Sequence, residues 1–131
     1  MSLEFKIEII SPDKSVFSGK TEEAILPCFE GLVTILKDHI PLITFLRPGL
    51  TKVEKKDGNF EEFFVEDGTI EFFNNILVLL STSVINVKDL SKEFLDDKKK
   101  EIEKGLSKEK ITDEERYLLN HKMDTIKEIR I

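Results

Sequence analysis

The sequence predicts an α+β protein, in which an N-terminal antiparallel β-sandwich of about ten strands is followed by a C-terminal antiparallel hairpin of two helices. Three observations support this fold class. Apolar residues recur at alternate positions early in the chain, turn-forming residues interrupt the first two thirds, and after Val87 the apolar residues recur at helical spacing. We therefore predict a β-sandwich domain at residues 1–86 and a helical hairpin at residues 87–131.

The first strand shows the alternation most clearly. In the segment LEFKIEI, the apolar residues Leu3, Phe5, Ile7 and Ile9 alternate with charged residues, as in a strand with one buried and one solvated face. The later strands are predicted from short runs of β-branched and aromatic residues between turn signals such as Ser-Pro-Asp, Glu-Gly, Pro-Gly, Asp-Gly and Asn-Asn. Asp-Gly pairs favour tight hairpins because they accept positive φ angles. Many short strands at this spacing are typical of a two-sheet sandwich.

The first predicted helix carries apolar residues four positions apart, at Leu90, Phe94, Ile102 and Leu106. Lys98 interrupts this stripe, but its aliphatic stem can lie along an apolar surface. Asp89 or Ser91 is predicted to cap the start of the helix, and Gly105 stands where a helix would end.

The second predicted helix begins at a capping box formed by Thr112 and Glu115. Its apolar residues are Leu119, Met123, Ile126 and Ile129. The short connection between the two helices favours an antiparallel hairpin. Because each stripe has only a few large apolar residues, the hairpin alone is expected to be marginally stable and to need the sandwich or a partner protein to pack against. A module with two docking surfaces can act as a switch.

Composition excludes several classes of function. A chain of 131 residues fits one domain with an appendage, and a net charge of −6 argues against a nucleic-acid-binding protein. The single cysteine, Cys28, cannot form an internal disulfide and is expected to be buried. The sequence has no signal peptide, no apolar run long enough for a transmembrane helix, and no clustered metal ligands. We therefore expect a cytoplasmic protein without a metal, a cofactor or direct insertion into the bilayer.

The candidates for catalysis are few. Cys28 has no basic neighbours in sequence that would activate it, and His121 stands among charged residues of a surface helix. His39 precedes a strand, where a structural or interface role is expected. Neither a phosphate-binding glycine loop nor a dinucleotide fingerprint occurs. We predict no catalytic residue, while a hydrolase using Cys28 and His39 stays open at this stage.

Taken in order, these segments resemble the epsilon subunit of bacterial F-type ATP synthase, whose mitochondrial counterpart is called delta. The opening strands carry the S-P, FSG and EG landmarks of that family. The segment DHIPLITFLRPG is similar to the family's histidine–any–proline–apolar–apolar–threonine stretch ending in Pro-Gly. EDGTIEFFNNILVLLSTS resembles the turn and strand that follow, and the helical tail falls where the family has its C-terminal hairpin. The resemblance covers essentially the whole chain.

The resemblance implies a non-catalytic central-stalk subunit, peripheral to the cytoplasmic face of the bacterial plasma membrane. Its partners would be the gamma subunit, the ring of c subunits and, when the helices extend, the beta subunit of the alpha/beta hexamer, where the helices inhibit ATP hydrolysis. The implied gamma-interface residues are His39, Ile40, Pro41, Leu42, Ile43 and Thr44. The implied loop facing the c ring consists of Glu30, Gly31 and Leu32.

The start of the first helix departs from the family. Members that bind ATP there show the pattern apolar–Asp–any–any–Arg–Ala, whereas this chain has Ser91 in place of the acid and Phe94 in place of the arginine. A phenyl ring cannot replace the charge-assisted hydrogen bonds of a guanidinium group. We therefore predict that the hairpin binds no ATP and that Phe94 packs on the sandwich.

The extended tails of the family carry basic residues that meet an acidic segment of the beta subunit. The residues suited to this role here are Arg116, Lys122, Lys127 and Arg130. An ordinary solvated helix face is the alternative interpretation of these four residues. For the whole chain, the alternative is a free-standing cytosolic β-sandwich adaptor with a helical tail, which would have no affinity for a gamma subunit.

Overall fold

The computed structural model describes residues 2–129, which form ten β-strands, one short 3-10 turn and two α-helices. The strands are β1 (Phe5–Ser11), β2 (Lys14–Thr21), β3 (Ala24–Cys28), β4 (Gly31–Ile35), β5 (Leu42–Phe45), β6 (Gly49–Glu54), β7 (Phe60–Val65), β8 (Thr69–Phe73), β9 (Ile76–Leu80) and β10 (Val84–Asn86). The 3-10 turn Val87–Asp89 leads into helix α1 (Lys92–Leu106), which is followed by helix α2 (Asp113–Glu128). Strands followed by two helices confirm the predicted fold class.

The ten strands form two sheets of five strands each. The first sheet has the order β2-β1-β9-β8-β5, and the second sheet has the order β10-β7-β6-β3-β4. The strand pairs are antiparallel with one exception, since β1 runs parallel to β9. The prediction of an antiparallel sandwich therefore holds for the other strand pairs but not for the pair of β1 and β9. Alternation along a strand fixes which face is buried, but it does not specify a partner strand that lies far away in the sequence.

The sandwich core lies between the two sheets. In β1, Phe5, Ile7 and Ile9 are buried and pack against inward-facing residues of the second sheet such as Leu26. The alternation predicted for this strand is confirmed at these three positions. Leu3, which the pattern grouped with them, precedes β1 and is exposed. The pattern therefore identified the buried face of the strand and overestimated its length at the N-terminal end.

A second apolar cluster joins the helices to the outer face of the second sheet. Leu50 on β6 and Phe64 on β7 are cross-strand neighbours, and both are buried in this cluster rather than in the sandwich core. Their buried partners from the C-terminal part of the chain are Leu90, Leu95, Ile102, Ile126 and Ile129. The hairpin is thus docked on the sandwich. Within residues 2–129, no helix is both long and apolar enough to cross a membrane.

The helix starts follow the predicted caps. The Ser91 hydroxyl accepts a hydrogen bond from the backbone N–H of Phe94 at 3.0 Å, and Thr112 does the same for Glu115 at 3.0 Å. Helix α1 continues past Gly105 to Leu106. A Cβ atom at Gly105 would lie 2.9 Å from Cδ1 of Leu119, so this glycine allows the two helices to approach closely rather than ending α1.

Candidate protein-interaction site

The outer face of the first sheet carries exposed apolar side chains on β5, β8 and β9. Phe73 pairs with Ile76, and Thr69 pairs with both Phe45 and Leu80. Directly paired residues point to the same side of a sheet, so these side chains form one surface. We call this surface the open face and define it by its most exposed apolar members: Ile43, Phe45, Phe73, Ile76 and Leu80. Their exposed fractions range from 42% to 76%, and apolar patches of this kind mark sites of protein interaction.

The segment predicted to contact the gamma subunit divides into outward and inward residues. Ile40, Pro41 and Ile43 are exposed, and Ile43 belongs to the open face. Leu42 packs against the sandwich core, and Thr44 is buried. This division follows from the alternation of side chains along β5. Only the outward residues are free for direct contact with a partner, whereas the inward residues support the strand.

His39, the remaining residue of that segment, packs on the sandwich. Its ring lies edge-on to Phe72 with the centroids 5.9 Å apart, and its Nδ1 is 2.7 Å from the carbonyl oxygen of Ile40. The preceding residue, Asp38, is tied to the turn between β8 and β9. Its backbone N–H donates to Oδ1 of Asn75 at 2.7 Å, and Nδ2 of Asn75 donates back to its carboxylate at 2.9 Å. These contacts fix the start of β5 beside the open face.

The predicted c-ring loop lies where β3 turns into β4: Glu30 is in the turn, and Gly31 and Leu32 are the first two residues of β4. Gly31 has a φ of 124°, which favours glycine, and Leu32 is 68% exposed. The carboxylate of Glu30 accepts a hydrogen bond of 2.6 Å from the Thr44 hydroxyl, and this bond lowers the pKa of Glu30. One hydrogen bond therefore joins the loop to β5. The segments that the resemblance implies for the c ring and for the gamma subunit are therefore in direct contact through Glu30 and Thr44.

Four residues of the open face were not among the predicted interface residues: Phe45, Phe73, Ile76 and Leu80. Two signals in the sequence could have identified most of them. Position 45 follows Ile43 by two residues in a strand, so both side chains share one face. The Asn-Asn pair forms a two-residue turn with φ angles of 52° and 60°, so the flanking Phe and Ile must lie side by side.

The hairpin is also held by an ionic contact at the end of β7. Glu66 Oε1 lies 3.0 Å from Nζ of Lys98 on α1 and 3.5 Å from Nζ of Lys122 on α2. The Ser83 hydroxyl donates to Oε2 of Glu66 at 2.7 Å. Burial raises the pKa of this carboxyl, but the hydrogen bond from Ser83 and the positive charges of Lys98 and Lys122 outweigh burial and lower it. The position at which Lys98 interrupts the apolar stripe of α1 is therefore the position at which its ammonium group pairs with Glu66.

The other singled-out residues of the hairpin have ordinary structural contacts. Phe94 is half-buried against the apolar cluster beneath the hairpin, which contains residues of both the helices and the sandwich. Arg116 is exposed and forms an ion pair of 3.4 Å with Asp113, one turn earlier. Lys127 is exposed, and Arg130 lies outside the described residues.

The three residues considered for catalysis lie in packed surroundings. Cys28 is fully buried in the sandwich core, and burial, with a further contribution from the charge of Glu30, raises the pKa of its thiol to about 11. A buried thiol with a raised pKa is unfavourable as a nucleophile, so the surroundings of Cys28 do not favour the Cys28–His39 alternative. His121 packs edge-on against Tyr117 at 4.4 Å, and burial lowers its pKa.

The two-sheet sandwich, its open face and the docked hairpin define a small protein-interaction module with a C-terminal helical appendage. The sequence profile of the family described as "ATP synthase, Delta/Epsilon chain, beta-sandwich domain" matches residues 4–87. The chain belongs to this family. The resemblance stated from the sequence is confirmed.

Individual relatives extend the match to the helices. The ATP synthase epsilon chain of Pelagibacter ubique is 43% identical over 128 residues, which span 97% of this chain and 98% of the relative. The ATP synthase epsilon chain of Dichelobacter nodosus is 35% identical over 104 residues, 79% of this chain and 73% of the relative.

Two solved assemblies contain chains of similar fold. A chain of the Euglena gracilis mitochondrial ATP synthase (OSCP/F1/c-ring) superposes with a TM-score of 0.76 at 12% identity, covering 97% of this chain and 79% of that chain. A chain of the Tetrahymena thermophila mitochondrial ATP synthase, central stalk and c-ring, superposes with a TM-score of 0.63 at 15% identity, covering 94% and 93%. At these identities the similarity concerns the fold.

Proposed function

We propose that this protein is the epsilon subunit of a bacterial F-type ATP synthase, a component of the central stalk that links the gamma subunit to the c ring. The observation that carries the proposal is the full-length alignment with the Pelagibacter ubique epsilon chain, which spans both the sandwich and the hairpin. The subunit has a mechanical role in the rotor and catalyses no reaction itself. The protonated, buried thiol of Cys28 is consistent with that role.

The gamma subunit binds the open face of the first sheet. Ile40, Pro41 and Ile43 supply the exposed part of the segment His39–Thr44, and the open face continues it across β8 and β9. Fully burying one large apolar side chain contributes roughly 1.5–3 kcal/mol, so a few such residues are enough for a stable contact. His39, Leu42 and Thr44 act from behind the surface by holding β5 in place.

The c ring contacts the turn at Glu30, Gly31 and Leu32, at the end of the sandwich where β3 meets β4. The Glu30–Thr44 hydrogen bond connects this turn to the proposed gamma surface. Torque passes between the two partners through a packed sandwich, in which few soft degrees of freedom absorb it. The subunit is therefore a peripheral component on the cytoplasmic face of the plasma membrane.

The hairpin inhibits ATP hydrolysis when it leaves the sandwich and reaches the alpha/beta hexamer. Its basic side chains meet an acidic segment of the beta subunit, with Arg116, Lys122 and Lys127 as the described candidates and Arg130 beyond them. It binds no ATP, because Ser91 serves as the cap of α1 and Phe94 packs against the apolar cluster. Shifts of NMR resonances from α1 or α2 on adding ATP would contradict this part of the proposal.

The test is affinity capture of the gamma subunit by the full-length chain. The epsilon-subunit proposal predicts a stable complex that survives washing at moderate salt, because the open face is apolar. A free-standing adaptor predicts no capture. Deleting residues 88–131 in the assembled synthase tests the inhibitory role separately, and the proposal predicts faster ATP hydrolysis than in the complex with the full-length subunit.

A further inference from the structure

We propose that Glu66 is the acceptor of an ionic latch that holds both helices on the sandwich and competes with acidic partner surfaces for Lys122. The second half of this inference rests on the proposed function. The claim that Glu66 holds both helices concerns the isolated chain and is argued from its distances to Lys98 and Lys122. We call the contact of Glu66 with Lys98 and Lys122 the Glu66 latch.

The Glu66 latch is more buried than the other ion pairs in the described part of the chain. Among the ion pairs formed within residues 2–129, the Lys98–Glu66 pair is the most buried, with side chains 17% and 15% exposed. The second lysine, Lys122, is 26% exposed. The other ion pair between hairpin and sandwich, Lys52–Glu128, is 3.7 Å long and more exposed. Partial burial reduces screening by water, so the Glu66 latch is the stronger of the two ionic contacts.

The carboxylate of Glu66 is held by contacts within the sandwich that do not involve the helices. Ser83 donates to its Oε2, and the backbone N–H of Glu66 donates to the carbonyl of Ser83 at 3.3 Å. The neighbouring Asp67 accepts hydrogen bonds from Ser81 and Thr82, which ties the same two segments together. The acceptor is thus rigid, and the mobile partners are the two lysine side chains.

One acceptor binds both helices, so their release is coupled. Removing the charge of Glu66 frees Lys98 on α1 and Lys122 on α2 together. The two ammonium groups, which lie within 3.5 Å of the same oxygen, would then repel each other, and the nearby negative charges are those of Glu101, in a longer contact of 3.9 Å with Lys98, and of the Asp67 carboxylate near Lys122. The apolar surface that the sandwich offers in return consists of Leu50 and Phe64, which are buried in the second cluster, and Ile85 of β10, which is partly buried against it. The docked state therefore depends on the latch.

The latch also determines when Lys122 is available. In the docked hairpin its ammonium group lies 3.5 Å from Oε1 of Glu66, and this contact is lost when α2 leaves the sandwich. An acidic peptide segment that captures the hairpin must take over the role of Glu66. Docking and capture are then competing equilibria for one positive charge.

The test uses the full-length chain with Glu66→Gln, which keeps the size of the side chain and one acceptor oxygen for Ser83 and removes the charge. Glu103→Gln is the matched control, because Glu103 is exposed on α1 and makes no ion pair within the described part of the chain. Amide hydrogen exchange is measured by mass spectrometry. The latch predicts that peptides from residues 92–128 exchange about tenfold faster in Glu66→Gln. Peptides from the sandwich core and the control variant should keep wild-type rates.

Two results would overturn the latch. Equal hairpin exchange in Glu66→Gln and Glu103→Gln would show that the contact does not hold the helices. An equal acceleration of hairpin and sandwich peptides would show that Glu66 merely stabilises the whole domain. A triple charge reversal, Glu66→Lys with Lys98→Glu and Lys122→Glu, is expected to recover protection that Glu66→Lys alone loses.

The competition is tested in the assembled synthase. Glu66→Gln is expected to lower ATP hydrolysis relative to Glu103→Gln, because the released hairpin reaches its acidic partner more often. Unchanged hydrolysis would overturn the competition while leaving the exchange result intact. Binding of the gamma subunit should be unaffected by Glu66→Gln, so failure of the wild-type chain to bind gamma would count against the proposed function and not against the latch.

Discussion

The two outer faces of the sandwich bury apolar surface in different ways. On the second sheet, Leu50 and Phe64 are covered by the chain's own hairpin. On the first sheet, Ile43 and Phe45 also lie in a hydrogen-bonded strand, β5, but their side chains are 76% and 64% exposed. The covered face is therefore buried by the chain itself, whereas the apolar side chains of the open face stay exposed in the single chain.

The helical hairpin that covers the second sheet is held by contacts that can be released. Its apolar cluster is small, and the Glu66 latch and the stacking of Phe29 on Tyr117, with ring centroids 5.7 Å apart, add polar and aromatic contacts at its borders. The outward side chains of β5, β8 and β9 are apolar except for Thr69 and Glu71, so the open face is closer in character to the apolar core of an interface. We infer that one face holds the subunit in its complex and that the other regulates it.

The largest expected difference between the faces concerns stability. Ile102→Ala removes a side chain that is 1% exposed beneath the hairpin and should cost about 2–4 kcal/mol. Ile43→Ala on the open face should change the free energy of unfolding by less than about 0.5 kcal/mol. Urea unfolding followed by circular dichroism measures both. A similar loss for the two variants would contradict the division into a covered and an open face.

A smaller effect is expected in acid, where the covered face loses the charge of Glu66. The pKa of Glu66 is lower in the folded protein than its ordinary value of 4.5, so its contribution is present above that value and is lost as the pH falls through the lowered pKa. Asp67 acts in the same direction, since the hydrogen bonds from Thr82 and Ser81 outweigh burial and lower its pKa from 3.8. The urea midpoint of the hairpin should therefore fall below about pH 4.5, and less steeply in Glu66→Gln. Identical pH profiles for the two proteins would contradict this assignment.

The smallest expected effect lies between the two faces. Thr51 on β6 is fully buried, and its hydroxyl has no hydrogen-bond partner among residues 2–129. Thr51→Val replaces this hydroxyl by a methyl group of similar size and should stabilise the sandwich by about 1 kcal/mol. Binding of the gamma subunit and docking of the hairpin should not change. A loss of stability in thermal unfolding would show that the hydroxyl is satisfied after all.

Local patterns in the sequence predicted the parts of the fold that depend on local physics. The alternation around Ile7 predicted β1, and Ser91 and Thr112 predicted the helix starts. The parallel pairing of β1 with β9 was missed, because it joins segments about seventy residues apart. The role of Glu66 was missed for the same reason, since nothing near it in sequence distinguishes it from the other acidic residues of the chain.

The candidate site was predicted in part. The resemblance indicated the segment around Ile43, but it could not separate outward from inward residues, and it left the neighbouring strands unassigned. Their contribution follows from the order of strands in the sheet, which places β8 and β9 beside β5. Register between strands is set by tertiary packing and turn geometry, so it became visible only in the folded chain.

The central claim is that the open face binds the gamma subunit, and one matched pair of variants tests it most directly. Phe45→Arg introduces a charge on the open face, while Phe60→Arg introduces the same charge at an exposed phenylalanine of the second sheet. Binding to gamma is measured for both folded variants beside the wild type. We expect Phe45→Arg to weaken the complex by about 100-fold or more and Phe60→Arg to leave it nearly unchanged. Equal affinity of the two variants for gamma would contradict the account.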